Sequence, residues 1–190
     1  VIVREDRIVG EGYHRKYGGP HAEVNAVRSV RIPGGHTILC DGQDNVSCEV
    51  TQYFAQCTMY VTLEPCSHWG KTPPCCDMIV AHGFKRVVVG TQDPNAKVNG
   101  EGIRRMREAG IDVRVGVLEE ECRAINTCFN TSHGMLRPRI TLKWAQMADG
   151  TMGVKAEAGQ RLRISTPFTE MLVHRLRSRC QAIMVGTNTA

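Results

Sequence analysis

Two periods of apolar and polar positions recur along the chain. Short apolar runs bounded by turn residues predict β-strands at 1–3, 8–10, 59–63, 86–90 and 111–115. Runs with helical period separate them at 20–27, 75–80, 103–109 and 119–129. Pro20 and Pro74 stand at helix starts, while Gly83 and Gly110 stand at helix ends. This alternation predicts an α/β fold in which a mostly parallel, mixed sheet is covered by helices on both faces, in three layers.

Polar segments predict how the chain is divided. Residues 34–57 are polar and suggest a surface insertion, whereas Gly134 and Pro138 interrupt the pattern near 131–138. We therefore expect a first domain at 1–130, a linker at 131–138 and a second α/β unit at 139–190. In that unit the pattern predicts strands from Ile140 and at 182–187, with a helix at 167–178. About fifty residues are too few for a complete domain of this kind.

Composition indicates an ordinary globular protein. The chain has 190 residues, 42% of them hydrophobic, and a formal net charge of +5 that suits an anionic substrate but is common among proteins generally. No stretch reaches the length of a transmembrane helix and no signal peptide opens the chain, which predicts a cytoplasmic protein without membrane contact. In that compartment nine cysteines favour metal ligands and free thiols over disulfides.

Three residues have the chemistry of an open zinc site. His21, Cys66 and Cys75 offer one imidazole and two thiolates, and tetrahedral zinc with three protein ligands keeps one position for water. Zinc lowers the pKa of such a water to about 7. Glu23 lies two residues from His21 and could move protons between that water and a leaving amine. Both ligand segments are predicted at helix starts, where the helix dipole favours a thiolate.

Other interpretations of the cysteines stay open. A fourth ligand, such as the adjacent Cys76, would make the zinc site structural, although neighbouring helical residues point in different directions and a small buried role is favoured. Cys40, Cys48 and Cys57 could form a second metal site, but their irregular spacing favours free thiols.

The spacing of the motifs resembles a known family. The pattern H-x-E with P-C-x-x-C is typical of zinc nucleobase deaminases, but here the eight residues 67–74 separate the two cysteines. With this long loop, which contains His68, Lys71 and Thr72, segment 62–75 closely resembles the deaminase half of the bifunctional riboflavin-biosynthesis deaminase–reductases. Asp93-Pro94-Asn95 and the segment 100–102 also match that family, as does His14 with Gly18.

The resemblance implies a fold, a reaction and a set of substrate contacts. The fold is a cytidine-deaminase-like domain followed by the start of a reductase domain similar to dihydrofolate reductase. The reaction is removal of the 2-amino group, as ammonia, from 2,5-diamino-6-ribosylamino-4(3H)-pyrimidinone 5′-phosphate, with Zn²⁺ bound and Glu23 as the proton-transfer residue. The substrate contacts implied are His14, His68, Lys71, Thr72 and Asn95.

The resemblance extends into the second unit. Segment 140–150 resembles the opening strand and turn of the family's reductase domain, although Met147 stands where serine is common. Lys143, Ser165 and Thr166 are then candidates for contacts to NADPH or sugar phosphate, although Thr166 also suits an ordinary helix cap. Val1 is not an initiator Met, and the family's opening helix and Asn-Pro motif are missing. We therefore expect this chain to be part of a longer protein. We also expect that protein to be a homo-oligomer.

Two other functions use the same residues. A nucleoside or nucleic-acid base deaminase would share the zinc site, but a polynucleotide enzyme is expected to have a basic groove rich in aromatic residues. Aromatic residues make up 5% of this chain, so we expect no nucleic acid as a partner. The resemblance implies a small phosphorylated pyrimidine as the partner instead. A non-enzymatic zinc-binding module is the third possibility, and a functional role for Glu23 would distinguish the deaminases from it.

Overall fold

The chain folds into two compact units in a computed structural model that describes residues 1–32, 46–95, 99–153 and 163–187. The first unit spans Val1–Arg139 and the second spans Ile140–Ala190. All five strands of the described sheet belong to the first unit.

The sheet is mixed, as predicted. Its strands are β1 (Ile2–Arg4), β2 (Arg7–Gly10), β3 (Thr58–Leu63), β4 (Arg86–Thr91) and β5 (Asp112–Val115), in the order β2-β1-β3-β4-β5. β1 pairs antiparallel with both β2 and β3, whereas β3, β4 and β5 are parallel. Glu5 and Asp6 make the tight β1–β2 turn with φ angles of 50° and 57°, the left-handed region that such turns require.

Six helices lie in the described part of the first unit. They are α1 (Ala22–Ser29), α2 (Cys48–Phe54), α3 (Cys75–Ala81), α4 (Glu101–Glu108), α5 (Glu119–Ile125) and α6 (Thr127–Gly134). α1 begins two residues after the predicted start at Pro20, because His21 is extended and serves as the N-cap. The helix predicted at 119–129 is interrupted at Asn126, and α6 continues into the predicted linker 131–138.

Helices cover both faces of the sheet. Successive side chains of a strand point to opposite faces, so Val87 and Val89 of β4 face one side and Val88 and Gly90 the other. Val87 and Val89 belong to the main core, which residues of α1, α2, α3 and α4 complete. On the opposite face Cys122 of α5 lies so close to Gly90 that a β-carbon there would collide with its side chain. The three-layer α/β arrangement is therefore confirmed.

The prediction of a surface insertion at 34–57 is wrong for its last part. α2 buries Val50 and Phe54, and Cys57 directly after it is also buried. The Phe54 ring is fully buried, with its centroid 4.7 Å from that of Phe84. Two apolar residues at helical spacing thus suffice to pack a mostly polar segment into the core. Residues 33–45 lie outside the described part of the chain.

The second unit contains the predicted helix without the predicted strands. α7 (Pro167–Arg177) begins after Thr166, whose hydroxyl accepts a hydrogen bond from the Thr169 N–H at 3.3 Å. The strands predicted from Ile140 and at 182–187 are not formed, because no described segment of this unit pairs with either run. None of the described helices has both the length and the apolar character needed to cross a membrane.

Candidate active site

Three side chains from different parts of the sequence converge beside the sheet. His21 is the N-cap of α1, Cys66 follows β3, and Cys75 is the first residue of α3. Their potential ligand atoms all lie within 4.8 Å of one another. His21 Nδ1 lies 3.5 Å from Cys66 Sγ and 3.3 Å from Cys75 Sγ. These three residues form a group that could hold a metal ion, and we refer to them as the ligand group.

The backbone between the two cysteines holds their sulfurs together. The Cys75 N–H donates to Cys66 Sγ at 3.3 Å, and the Cys76 N–H donates to the Cys66 carbonyl oxygen at 3.1 Å. Pro74 caps α3 in an extended conformation, so the helix begins at Cys75 as the sequence predicts. These hydrogen bonds let two cysteines separated by a long loop act as a close pair.

Proton affinities within the ligand group are strongly shifted. A hydrogen bond from the Cys75 thiol is the main cause that lowers the pKa of Cys66 to about 4, and His21 adds to it. The same hydrogen bond, together with burial, raises the pKa of Cys75. The hydrogen bond to Cys66 also raises the pKa of His21. The group therefore holds one thiolate readily, which is the form of cysteine that binds a metal.

Glu23 lies beside the ligand group without belonging to it. The residue is in the first turn of α1 and is 9% exposed. Burial is the main cause that raises the pKa of its carboxyl group, while a hydrogen bond from Cys75 acts in the opposite direction. A carboxyl group with raised proton affinity next to a metal-binding group has the chemistry both to accept a proton and to return it.

His14 lies next to His21 of the ligand group. Its ring meets the His21 ring edge-on, with 5.4 Å between centroids, and its Nδ1 is 3.1 Å from the Pro20 carbonyl oxygen. The Asn25 side-chain amide donates to the carbonyl oxygens of Tyr13 and Pro20, at 2.8 and 3.2 Å, and so attaches this loop to α1. No sequence motif singles out Asn25, although its place two residues beyond Glu23 puts it in the same helix turn.

The loop between the cysteines contains three of the other candidate substrate residues. His68 and Lys71 are exposed and Thr72 is half-buried. Lys71 Nζ lies 4.2 Å from the centroid of the Tyr17 ring, a cation–π contact that joins this loop to the loop before α1. Gly18 has a φ of 78°, and a β-carbon there would lie 3.0 Å from Lys71 Cδ. Lys71 is thus placed between the two loops.

Asn95 is held by a network of hydrogen bonds that starts near Cys66. The Asp93 carboxylate accepts the Asn95 N–H at 2.8 Å, and the Asp93 N–H donates to Glu64 Oε2 at 3.2 Å. No sequence motif assigns a role to Glu64. Its proximity to Pro65-Cys66 was visible, but its partners lie 29 or more residues away.

None of the other cysteines that the structure describes joins the ligand group. Cys76 is buried, and its thiol donates to Asp77 Oδ1 at 3.3 Å. Of the possible second metal site, Cys48 is exposed, Cys57 is buried and Cys40 lies outside the described residues. Among the residues that the structure describes, no other cluster of three His, Cys, Asp or Glu side chains could hold a metal.

The three candidate cofactor-binding residues of the second unit differ in exposure, and one of them caps a helix. Lys143 is exposed, Ser165 is half-buried, and Thr166 caps α7. A contact of these residues to NADPH stays a prediction.

Comparison with known proteins identifies a class of enzyme. Residues 1–91 match the family model described as the cytidine and deoxycytidylate deaminase zinc-binding region. The matched region contains the ligand group and Glu23, so the fold and this match indicate the class of deaminase domains.

More similar relatives specify the family. The chain is 42% identical over 129 residues to diaminohydroxyphosphoribosylamino-pyrimidine deaminase of Buchnera aphidicola, covering 68% of this chain and 74% of that protein. It is 44% identical over 189 residues to riboflavin biosynthesis protein RibD of Aquifex aeolicus, covering 100% of this chain but 47% of the relative. The chain belongs to the RibD family of riboflavin-biosynthesis deaminases.

Solved structures agree with this assignment. The structure of Acinetobacter baumannii RibD, form 1, matches with a TM-score of 0.76 and 34% identity over 94% of this chain and 44% of the other. A deaminase/reductase of Thermotoga maritima matches with a TM-score of 0.72 and 38% identity over 93% of this chain and 45% of the other. The chain thus spans less than half the length of these proteins and of the Aquifex relative.

Proposed function

We propose that this protein is a zinc-dependent hydrolase that removes the 2-amino group of 2,5-diamino-6-ribosylamino-4(3H)-pyrimidinone 5′-phosphate as ammonia. The observation that carries the proposal is the ligand group with the buried Glu23 carboxyl group beside it. The names of the relatives support the substrate class.

The donor atoms of the ligand group fit Zn²⁺. One imidazole nitrogen and two thiol sulfurs are ligands that zinc prefers, and three protein ligands are typical of its catalytic sites. The Cys75 N–H that donates to Cys66 Sγ provides the kind of outer hydrogen bond that orients a metal ligand. When bound, zinc would make water nucleophilic at neutral pH and stabilise the developing negative charge.

Glu23 is proposed to move the protons of the reaction. Its carboxylate accepts a proton from the attacking water and gives it to the ring nitrogen next to the carbon that bears the amine. The carboxylate then takes the remaining proton from the hydroxyl group on that carbon and gives it to the amine, so that a carbonyl group forms, the C–N bond breaks and ammonia leaves. The raised pKa of Glu23 suits this role, because a shuttle must hold the proton between the two transfers.

Five residues around the ligand group are proposed to bind the substrate. Lys71 offers an ammonium group for the 5′-phosphate, and its contact with Tyr17 keeps it between the two loops. His14 and His68 can donate hydrogen bonds to ring or sugar oxygens. Thr72 and Asn95 are proposed to contact the sugar and the pyrimidine.

The longer protein is proposed to be bifunctional. This chain matches less than half of each of the two solved relatives. The name of the Thermotoga protein includes a uracil reductase. We propose that residues from 140 onward begin an NADPH-dependent reductase domain of a cytoplasmic homo-oligomer.

An ammonia-release assay tests the proposed function. The protein is incubated with the phosphorylated diaminopyrimidinone or with free cytidine, each with and without a zinc chelator. We expect ammonia from the phosphorylated substrate only, and we expect the chelator to abolish its release. Release from cytidine alone, or an undiminished rate in chelator, would overturn the proposal.

A further inference from the structure

Glu64 is a buried carboxylate that lies next to the ligand group without contacting it. The residue directly follows β3, precedes Pro65-Cys66 and is 4% exposed. A charged group buried to this extent is costly unless hydrogen bonds replace its lost water. The hydrogen-bond partners of Glu64 therefore indicate its role.

Four backbone N–H groups donate to the Glu64 carboxylate. Oε2 accepts from Asp93 at 3.2 Å and from Gly100 at 2.9 Å. Oε1 accepts from Gly102 at 3.0 Å and from Ile103 at 3.3 Å. One side chain thus satisfies donors at both ends of the segment 93–103, of which residues 96–98 lie outside the described chain.

The segment that Glu64 holds contains Asn95. Asp93, whose N–H binds Glu64, uses its own carboxylate to accept the Asn95 N–H at 2.8 Å. A continuous path of hydrogen bonds therefore joins the residue before Pro65-Cys66 to the backbone of Asn95. Movement of the Glu64 carboxylate would displace the Asn95 loop relative to the ligand group.

A close backbone contact supports the same connection. A β-carbon at Gly102 would collide with the Pro65 carbonyl oxygen and would lie 3.3 Å from Glu64 Oε1. The first turn of α4 can approach this closely because Gly102 has no side chain. Two independent features, the shared carboxylate and the glycine contact, thus join α4 and the Asn95 loop to the peptide that contains Cys66.

We infer that Glu64 is a positioning residue that sets where Asn95 meets the pyrimidine substrate. The inference rests on the proposed function, in which Asn95 binds that substrate. Glu64 touches neither the ligand group nor the reacting atoms, so it acts on substrate binding and leaves the proton transfers by Glu23 unchanged.

The Glu64→Gln variant of the zinc-loaded whole chain tests the inference. Glutamine has the same shape, but its NH₂ group cannot accept the two N–H donors that the replaced oxygen accepts. We expect KM for the phosphorylated diaminopyrimidinone to rise about tenfold or more, with kcat within about twofold of wild type. Zinc per chain and folding at the assay temperature should be unchanged.

Glu108→Gln is the matched control. Glu108 lies on α4 but is exposed, and its carboxylate pairs with Arg104 at 2.6 Å. KM should stay at the wild-type value. If Glu64→Gln fails to fold, Glu64→Asp keeps the charge on a shorter chain and should show a smaller rise in KM.

A double variant tests whether Glu64 acts through Asn95. Asn95→Ala should raise KM, and adding Glu64→Gln should raise it no further, because both changes disturb one interaction. A wild-type KM in Glu64→Gln, additive effects in the double variant, or loss of kcat together with zinc would overturn the inference. If the wild-type protein released no ammonia, both the proposed function and the inference would fail. If the wild type were active and Glu64→Gln had the same KM, only the positioning role would be refuted.

Discussion

At the scale of single residues, the partners of a buried carboxyl group decide what that group can do. Glu23 and Glu64 are both buried carboxyl groups, yet their partners differ: Glu23 faces the ligand group, whereas Glu64 accepts four backbone N–H groups. The sequence predicts Glu23 because it lies in a short motif with His21. The sequence cannot predict the role of Glu64, because its partners are backbone N–H groups, which almost every residue type has.

Replacing Glu23 should separate metal binding from catalysis. Glu23→Gln keeps the size of the side chain but removes the group that accepts the proton. We expect ammonia release to fall by about 10² to 10⁴-fold, with zinc per chain unchanged in metal analysis. Glu120→Gln, an exposed glutamate of α5, is the control and should keep the wild-type rate. A Glu23→Gln variant as active as wild type would exclude this residue as the proton shuttle.

Replacing Lys71 should weaken recognition of the phosphate. We expect Lys71→Ala to raise KM about tenfold or more for the phosphorylated substrate, because a charged hydrogen bond is lost. With the dephosphorylated substrate, variant and wild type should give equal KM values. The exposed Lys85→Ala should change neither. Equal losses on both substrates would show that Lys71 does not act on the phosphate.

Buried thiols should resist alkylation over a wide pH range. Burial raises the pKa of Cys57 to about 11 and that of Cys76 to about 12. A raised pKa keeps the neutral, unreactive thiol at higher pH, so both residues should stay unmodified by iodoacetamide at pH 8. The exposed Cys48, Cys128 and Cys180 should react, as followed by peptide mass spectrometry with unfolded protein as the reference. Modification of Cys57 in folded protein at the rate of Cys48 would contradict this expectation.

At the scale of elements, the sequence predicts those whose pattern is continuous. All five strands and the helices α3 and α4 lie where apolar runs and punctuating Pro and Gly residues indicate. α2 was missed because polar residues surround its two buried positions, Val50 and Phe54. Tertiary packing, which single-sequence patterns do not contain, makes that segment part of the core.

Removing the Phe54 ring should show that α2 is a core element. Phe54→Ala is expected to lower the free energy of unfolding by about 3 to 5 kcal/mol, since a fully buried ring leaves a cavity. Urea unfolding measures this value. Ile125→Ala, which truncates a 72% exposed side chain of α5, should change it by about 0.5 kcal/mol or less. A loss below about 1 kcal/mol for Phe54→Ala would contradict the packing described here.

At the scale of the whole molecule, the candidate site lies entirely within the first unit. The ligand group, Glu23 and the five proposed substrate residues all precede Arg139. The second unit matches the sequence prediction at its helix but not at its strands, because a strand needs a neighbouring strand to accept its hydrogen bonds. The apolar pattern indicates which segment is suited to a strand, but it does not show whether a neighbouring strand is present.

Metal titration tests the central claim most directly. Protein stripped of metal is supplied with increasing zinc, and ammonia release from the phosphorylated diaminopyrimidinone is measured against zinc bound per chain. We predict that activity rises in proportion to bound zinc and saturates when the single ligand group is filled, with no rise in a Cys75→Ser variant that has lost a ligand. Full activity in metal-free protein, or the same zinc-dependent rise in Cys75→Ser, would contradict the account.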